Sequence, residues 1–480
     1  MTITSQDVPA PAGTTSLSPL PASARLLSLD VFRGLTIAFM VLVNSMPDPK
    51  YDPFEHANWD GWTLTDLVFP FFLFIVGVAV PFSFAKRLSD PNASRKSLLA
   101  HVWLRALILF MLGWMIHSMP GTTREMPEQG FYSLKILGWI TRICTYGGLV
   151  ALLIPWKWKR AQIWVPVGIA VGFILLIVIN HFTLAHAQPW LPEKFRWGGG
   201  ALNPDRIRIP GVLQRIGICY GIAATIALYF NWRMVLLSAI LLLAGYSALM
   251  LRAPFPNHVT GSLTKNDNLE RKIDETVLDR FTLDETGKRH YTQRHTYGEY
   301  PDPEGILSTV PSVSTVLIGI LVGLWLRTPR PTVDRCAAIL VFGFVVAALG
   351  AGMGWWVMPV NKKIWSPSFV VLTAGLGMLT LGAMFWVIDI KGWRTWSLPL
   401  AILGMNAIFL YALSELLDYF MGFVHLGSLG GKNPLEWLGD FYNGLEIAKQ
   451  NASLLYALSY VAIIFIAAAI LYVFKIFIRI

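Results

Sequence analysis

Charge is what this chain has least of. Only 14% of its 480 residues are Asp, Glu, Lys or Arg, where a soluble domain carries about 25%. So little charge excludes an ordinary water-soluble globule. Cysteine is scarce too: Cys144, Cys219 and Cys336 each lie in or beside an apolar run. They provide neither a disulfide framework nor paired metal ligands and read as small core hydrophobes. Several motifs are missing as well. There is no GxxxxGK[ST] phosphate loop, no GxGxxG, no HExxH and no GxSxG elbow. ATP-driven transport, metal hydrolysis and serine acyl-enzyme chemistry lose their sequence support, and no metal site is expected. Residues 1–24 contain no Lys or Arg, so a charged signal-peptide n-region is lacking. Their Pro/Ala/Ser/Thr bias reads as part of a disordered tail over 1–27.

What is abundant is apolar: 54% hydrophobic residues, with 19 Trp and 28 Phe. Runs long enough to span a bilayer, about 17–25 residues, occur near 29–46, 63–84, 98–118, 134–154, 162–182, 210–230, 233–251, 307–326, 334–357, 367–388, 398–423 and 453–476. The expected fold is therefore an all-α polytopic integral membrane protein with about 12 transmembrane helices, 10 at the fewest, over 28–480. The 398–423 run has the look of a broken helix. A net charge of +10 suggests nucleic acid at first sight. The basic residues sit in short loops between apolar runs, however, as Lys86, Arg87, Arg95 and Lys96 do, while Asp48, Asp52, Glu55 and Asp60 share an opposite loop. That alternation predicts N-in and C-in topology with no nucleic-acid partner. It puts the loop around His56, the segment 252–306, and the segments 358–366 and 424–452 on the outer face.

Segment 252–306 is the one sizeable piece outside the apolar runs and is expected to cap the outer mouth. Its stretch NLERKIDETVLDRF has Leu269, Ile273, Val277 and Phe281 at helical spacing. An internal repeat is visible as well. ILGWITRICTYGGLVALLIPWKWKR at 136–160 resembles IPGVLQRIGICYGIAATIALYFNWR at 209–233, which makes 134–182 the first copy of a duplicated helix pair. Chance likeness between two Leu/Ile-rich helices is the rival explanation.

The stretch Phe54–Gly77 carries the most chemical information. It starts as a polar loop with Glu55, His56, Asn58 and Asp60 and becomes a membrane-grade helix with Asp66 in its first turns. An ionisable group there is costly and marks a functional site by default, and histidine titrates near neutral pH unaided. Ten residues separate His56 from Asp66, enough for the loop to turn the carboxylate under the imidazole, where it would fix the tautomer. A lone interfacial histidine is more often a hydrogen-bonded loop residue. In the first apolar run Arg33 and Asn44 share a helix face about 16 Å apart. Arg33 suits a phosphate or pairs with Asp30. Other polar groups that the topology brings near the outer face are Gln214 and Arg215, Glu304, and Asn361 with Lys362. Lys362 has snorkelling as its plainer reading. Asn406 and Glu415 are further intramembrane polar groups, suited to interhelical hydrogen bonds or to lining a path.

Five ordered segments carry a family resemblance: SLDVFRGLTIAFMVLVN, HANWDGWTLTDLVFPFFLFIVG, RIPGVLQRIG, DPEGILST and PVNKKIW. Together they resemble the heparan-alpha-glucosaminide N-acetyltransferase family of transmembrane acyltransferases. The resemblance implies acetyl transfer from cytosolic acetyl-CoA to the amine of a glucosamine-type sugar across the membrane, in a bacterial inner membrane. His56 falls on the family's active-site histidine, with Asn44 and Asp66 on its neighbouring polar positions. On that basis the expected catalytic group is His56, Asp66 and Asn44. Arg33, Arg105 (taken as near an inner helix end) and Asn44 are expected to hold the acetyl-CoA. Gln214, Arg215, Glu304, Asn361, Lys362 and Asn406 are expected to contact the acceptor. Lipid is a partner by necessity. A homodimer stays compatible, because lipid-facing and dimer-facing helices have the same composition. The rival function is an amino-sugar transporter without chemistry, favoured by the helix repeat. A structural or signalling membrane protein would not need polar groups converging on one face.

Overall fold

The structure is a computed structural model that describes residues 26–88, 94–117, 208–296, 301–421 and 432–478. The tail over 1–27 lies almost wholly outside these residues. So does the first copy of the helix repeat, with the two apolar runs it contributes.

Among the described residues, nine helices are long and apolar enough to cross a membrane, and a bent pair makes a tenth. All ten apolar runs of the sequence that fall on described residues become helices. In chain order they are α1 (Leu27–Ser45), α2 (Val68–Leu88), α3 (Arg95–His117), α4 (Val212–Tyr229) and α5 (Trp232–Arg252). After an intervening segment come α7 (Thr309–Leu326), α8 (Thr332–Trp356), α9 (Pro367–Met384), α10 (Leu398–Met405), α11 (Ala407–Met421) and, after the short α12 (Pro434–Asn443), α13 (Lys449–Val473). The 398–423 run is broken as its sequence suggests: the helices on either side of Asn406 are bent by 72°.

Helix starts follow local chemistry. Ser366 accepts from the Phe369 amide ahead of Pro367 in α9, Asn231 accepts from Met234 in α5, and Asn433 with Glu436 forms a full capping box on α12. Each cap satisfies an amide that has no partner within the helix. Packing is closest where α1 meets α10. A methyl group on Gly34 would overlap the Leu400 carbonyl, and one on Gly404 would overlap the Asp30 carbonyl. Two backbones in contact at this crossing fix α10 against the Arg33 end of α1.

The segment before α7 folds into α6 (Leu269–Val277) and an antiparallel hairpin, β1 (Asp279–Leu283) with β2 (Arg289–Arg294). Here the structure corrects the sequence reading. The helix stops at Val277, and Phe281 lies in β1 under the Arg289 guanidinium. The buried face of α6 is not the apolar stripe. It carries Glu270, Asp274 and Glu275 beside Leu269, while Val277 is exposed. Acids face inward because donors wait there: the backbone amides of 302, 306 and 308, and the Tyr246 hydroxyl.

Candidate active site

His56 stands on a loop pinned at several points. Gly61, at φ +100°, turns the loop so that its amide reaches the Val360 carbonyl at 2.7 Å. A residue with a side chain is strained in that backbone region. Trp59 donates to Leu263 O at 2.9 Å, which ties the loop to the α6 segment. Asn361 donates to Asp60 at 3.3 Å.

The pair expected from the sequence forms. His56 Nδ1 lies 2.7 Å from Asp66 Oδ1, with the histidine side chain 52% exposed and the aspartate 2%. The other carboxylate oxygen, Oδ2, accepts the amides of Ala57 and Thr63 at 3.1 Å each and the Thr63 hydroxyl at 3.3 Å. A carboxylate so supplied with donors is held ionised and immobile. Among the described residues Nε2 of His56 makes no protein hydrogen bond, so its ring is anchored on one side and open on the other. The Thr63 bonds are a helix-start motif, Thr-x-x-Asp, that the sequence displays in TLTD and that the spacing argument for His56 and Asp66 passed over.

Lys362 joins this group. Its Nζ is 3.3 Å from Asp66 Oδ1 and 3.3 Å from His56 Nδ1, so it packs against the pair and does not snorkel away from it. Burial pushes its ammonium below the ordinary lysine range, while Asp66 and Glu304 pull it back up. Asn361 is fully buried and shapes the turn. Its Oδ1 accepts from the Ile364 amide and its own amide donates to Ser366.

Beneath lies Arg215, 2% exposed. Its guanidinium sits over the Trp365 ring at 5.2 Å and the Phe69 ring at 5.9 Å, and it donates to Gly305 O at 3.0 Å and to the Ser308 hydroxyl. The structure makes it a bolt between the loop 302–305 and the bundle. Glu304 on that loop is held by Arg208 at 2.5 Å, and Arg208 also reaches Asp302 at 3.3 Å. Gln214 is 1% exposed, and among the described residues neither of its amide atoms has a hydrogen-bond partner. Burial raises the affinity of both Glu270 and Asp274 for protons, with the Asp274 charge adding to it at Glu270 and the Asp302 charge at Asp274.

Asn44 is at the same end of the bundle, exposed, its Nδ2 3.3 Å from Glu415 Oε1 on α11. Glu415 was visible as an intramembrane acid, but its pairing with Asn44 joins residues 371 apart and has no local signal.

Three expected residues lie away from His56. Arg33 is at the opposite end of α1, bonded to Asp30 at 3.1 Å and to the Gly404 carbonyl at 3.4 Å. Asn406 is at that end too, not with His56. It follows Gly404, which touches Asp30, and its side chain binds the backbone of Ile476 and Ile478 at 3.1 and 2.8 Å. The break in the helix pair turns α11 back toward the far end and leaves Asn406 behind. Arg105 is not near a helix end. It lies ten residues into α3 and packs over the Tyr220 ring at 5.2 Å, in mid-span. No cluster of three or more His, Cys, Asp or Glu among the described residues suits a metal ion.

Comparison with known proteins gives a consistent picture. The family described as heparan-alpha-glucosaminide N-acetyltransferase, catalytic, matches residues 25–196. Human heparan-alpha-glucosaminide N-acetyltransferase is 27% identical over 456 residues, which cover 85% of this chain and 55% of the human protein. The mouse protein is 26% identical over 443 residues, covering 83% and 54%. The chain thus spans about half the length of the curated relatives it matches. The resemblance carried by the five sequence segments is borne out.

Proposed function

We propose that this chain, as a member of the heparan-alpha-glucosaminide N-acetyltransferase family, moves an acetyl group from acetyl-CoA to the amine of a glucosamine-type sugar. The observation that carries the reading is His56, fixed through Nδ1 to Asp66 with Nε2 open. A histidine held in one tautomer by a carboxylate is what a general base requires. In the transfer, Nε2 takes a proton from the sugar ammonium. The freed amine nitrogen attacks the thioester carbon, the carbon–sulfur bond breaks to release CoA thiolate, and the second proton shed by the acylated nitrogen goes to that thiolate. Asn44, with an amide N–H at the same end of the bundle, serves the developing oxyanion.

The donor enters from the Arg33 end and the acceptor from the His56 end. The helix supports this, because Arg33 and Asn44 share one face of α1 about 16 Å apart, a span comparable to an extended pantetheine arm. With basic loops inside, the Arg33 end is cytoplasmic and the His56 end periplasmic in a bacterial inner membrane. Segment 252–306 then covers the acceptor side, with Glu304 above the site.

A transporter reading draws on one observation, the 72° break between α10 and α11. Broken helices line transport sites in many carriers. Incubation of the purified protein with labelled acetyl-CoA and glucosamine, beside His56→Ala, separates the two. Labelled N-acetylglucosamine from the wild type and none from the variant is expected. No product from the wild type, with saturable glucosamine uptake in proteoliposomes, would sink the enzyme reading. Label held on the wild-type protein before acceptor is added would instead assign His56 as the nucleophile of an acetyl-imidazole route.

A further inference from the structure

Three groups meet at one corner of the site, and their hydrogen-bonding demands conflict. Nδ1 of His56 has a single in-plane position, either an N–H that donates or a lone pair that accepts. Ionised Asp66 only accepts and the Lys362 ammonium only donates. Nδ1 therefore cannot satisfy both, although it lies 2.7 Å from Asp66 Oδ1 and 3.3 Å from Lys362 Nζ. Bonding to Asp66 puts the proton on Nδ1 and leaves the Nε2 lone pair free. Bonding to Lys362 reverses the tautomer and puts the proton on Nε2, where it blocks chemistry.

We propose that Lys362 is a positioning residue that keeps His56 neutral with Nε2 unprotonated, by binding Asp66 Oδ1 and opposing a positive charge on the imidazole. Two features support this. The first is that Oδ1, a charged acceptor, lies 3.3 Å from the Lys362 ammonium, as near to it as Nδ1 is, and so competes with Nδ1 for its protons. The second is electrostatic. Asp66 alone would stabilise an imidazolium, since an opposite charge within hydrogen-bond distance favours the charged form. Lys362 cancels that charge at the same oxygen, so the carboxylate orients the ring without over-protonating it.

Among the described residues the surrounding charges are few. Glu55 adjoins His56 in the chain, and Asp60 on the same loop is bonded to Asn361. Glu304, bound to Arg208, acts on Lys362 from the α6 side, and Lys363 acts from the same turn. Arg215 lies below behind Trp365. Glu304 attracts the Lys362 ammonium through its charge, which links the loop 302–305 to the protonation of the base.

The inference rests on His56 being the reactive base, but its test needs no acetyl donor. Diethyl pyrocarbonate modifies the neutral imidazole nitrogen and not the imidazolium. Its rate at His56, read by peptide mass in the full detergent-purified chain as a function of pH, reports when Nε2 is free. In Lys362→Met and Lys362→Gln the half-maximal rate is expected about one pH unit higher than in the wild type. Lys362→Arg keeps the charge and is expected to keep the wild-type profile, with melting curves confirming that each variant folds. An unmoved or downward profile in both neutral variants would overturn the assignment, and so would an equal upward shift in Lys363→Met. A shifted profile in a protein that transfers no acetyl group would retain Lys362's role and remove the enzyme reading instead.

Discussion

The two ends of α1 carry similar residues in opposite states. At one end Arg33 is bonded to this protein's own groups, Asp30 and the Gly404 carbonyl, and Asn406 is bonded to the backbone of 476–478. At the other end His56 is half exposed with one nitrogen free, and Asn44 is exposed. The Arg33 end has the bonding of a structural joint that can also meet a phosphate. The His56 end has the bonding of a reaction site, with one rigid carboxylate and one open nitrogen. Polar residues inside a membrane chain are therefore not equal signals. What separates them is whether their hydrogen-bonding capacity is already filled.

That contrast breaks first at Asp66. Asp66→Asn replaces the carboxylate with a neutral amide that can donate to Nδ1 and favour the wrong tautomer of His56, and turnover is expected to fall by about 10²–10⁴-fold with little change in acceptor KM. A fall of less than threefold would mean that the ring needs no orienting acid. A smaller effect is expected at the closed end. Arg33→Ala is expected to raise the acetyl-CoA KM by about tenfold, the ~1.4 kcal/mol of one charge-assisted hydrogen bond, while leaving turnover within about twofold. A turnover loss as large as that of Asp66→Asn would place chemistry at the wrong end.

The segment over the site is expected to respond to pH. Glu270 and Asp274 have their proton affinity raised by burial, so the folded state binds more protons than the unfolded one. The resulting stability is complete below the ordinary carboxylate range and is lost as pH rises towards about 7 to 8. Limited proteolysis within 252–306 should therefore quicken as pH rises through neutrality, and Glu270→Gln should flatten the dependence. A proteolysis rate that falls with rising pH would contradict it. The smallest effect belongs to Asn406→Ala. Loss of two backbone contacts, about 1–2 kcal/mol, should loosen 474–478 to protease while acetyl transfer changes by less than about twofold. A large loss of transfer would return Asn406 to the acceptor site.

Much of this was legible in the sequence. Hydropathy alone located every described membrane helix, because in lipid only a long apolar helix satisfies its backbone. The His56–Asp66 pair was legible because it is local: ten residues, one turn and a helix start. Contacts that join distant segments were not. Lys362 meets His56 across 306 residues, and Asn44 meets Glu415 across 371. Asn406 was misplaced because it sits at the helix break itself, and the depth of that break, not the residue's polarity, decides which end it faces. The α6 stripe misled for another reason. Apolar periodicity predicts the buried face only when the covering surface is apolar, and here it offers amides and a hydroxyl.

The central claim, that donor and acceptor meet from opposite ends of α1, is tested most directly by sided proteoliposomes. Protein is reconstituted with its orientation fixed by protease accessibility, labelled acetyl-CoA is supplied to one side and glucosamine to the other. Labelled N-acetylglucosamine is expected only with acetyl-CoA on the Arg33 side, and it should appear on the His56 side. Product formed only when both substrates share a side, or unmodified glucosamine crossing the membrane, would contradict it.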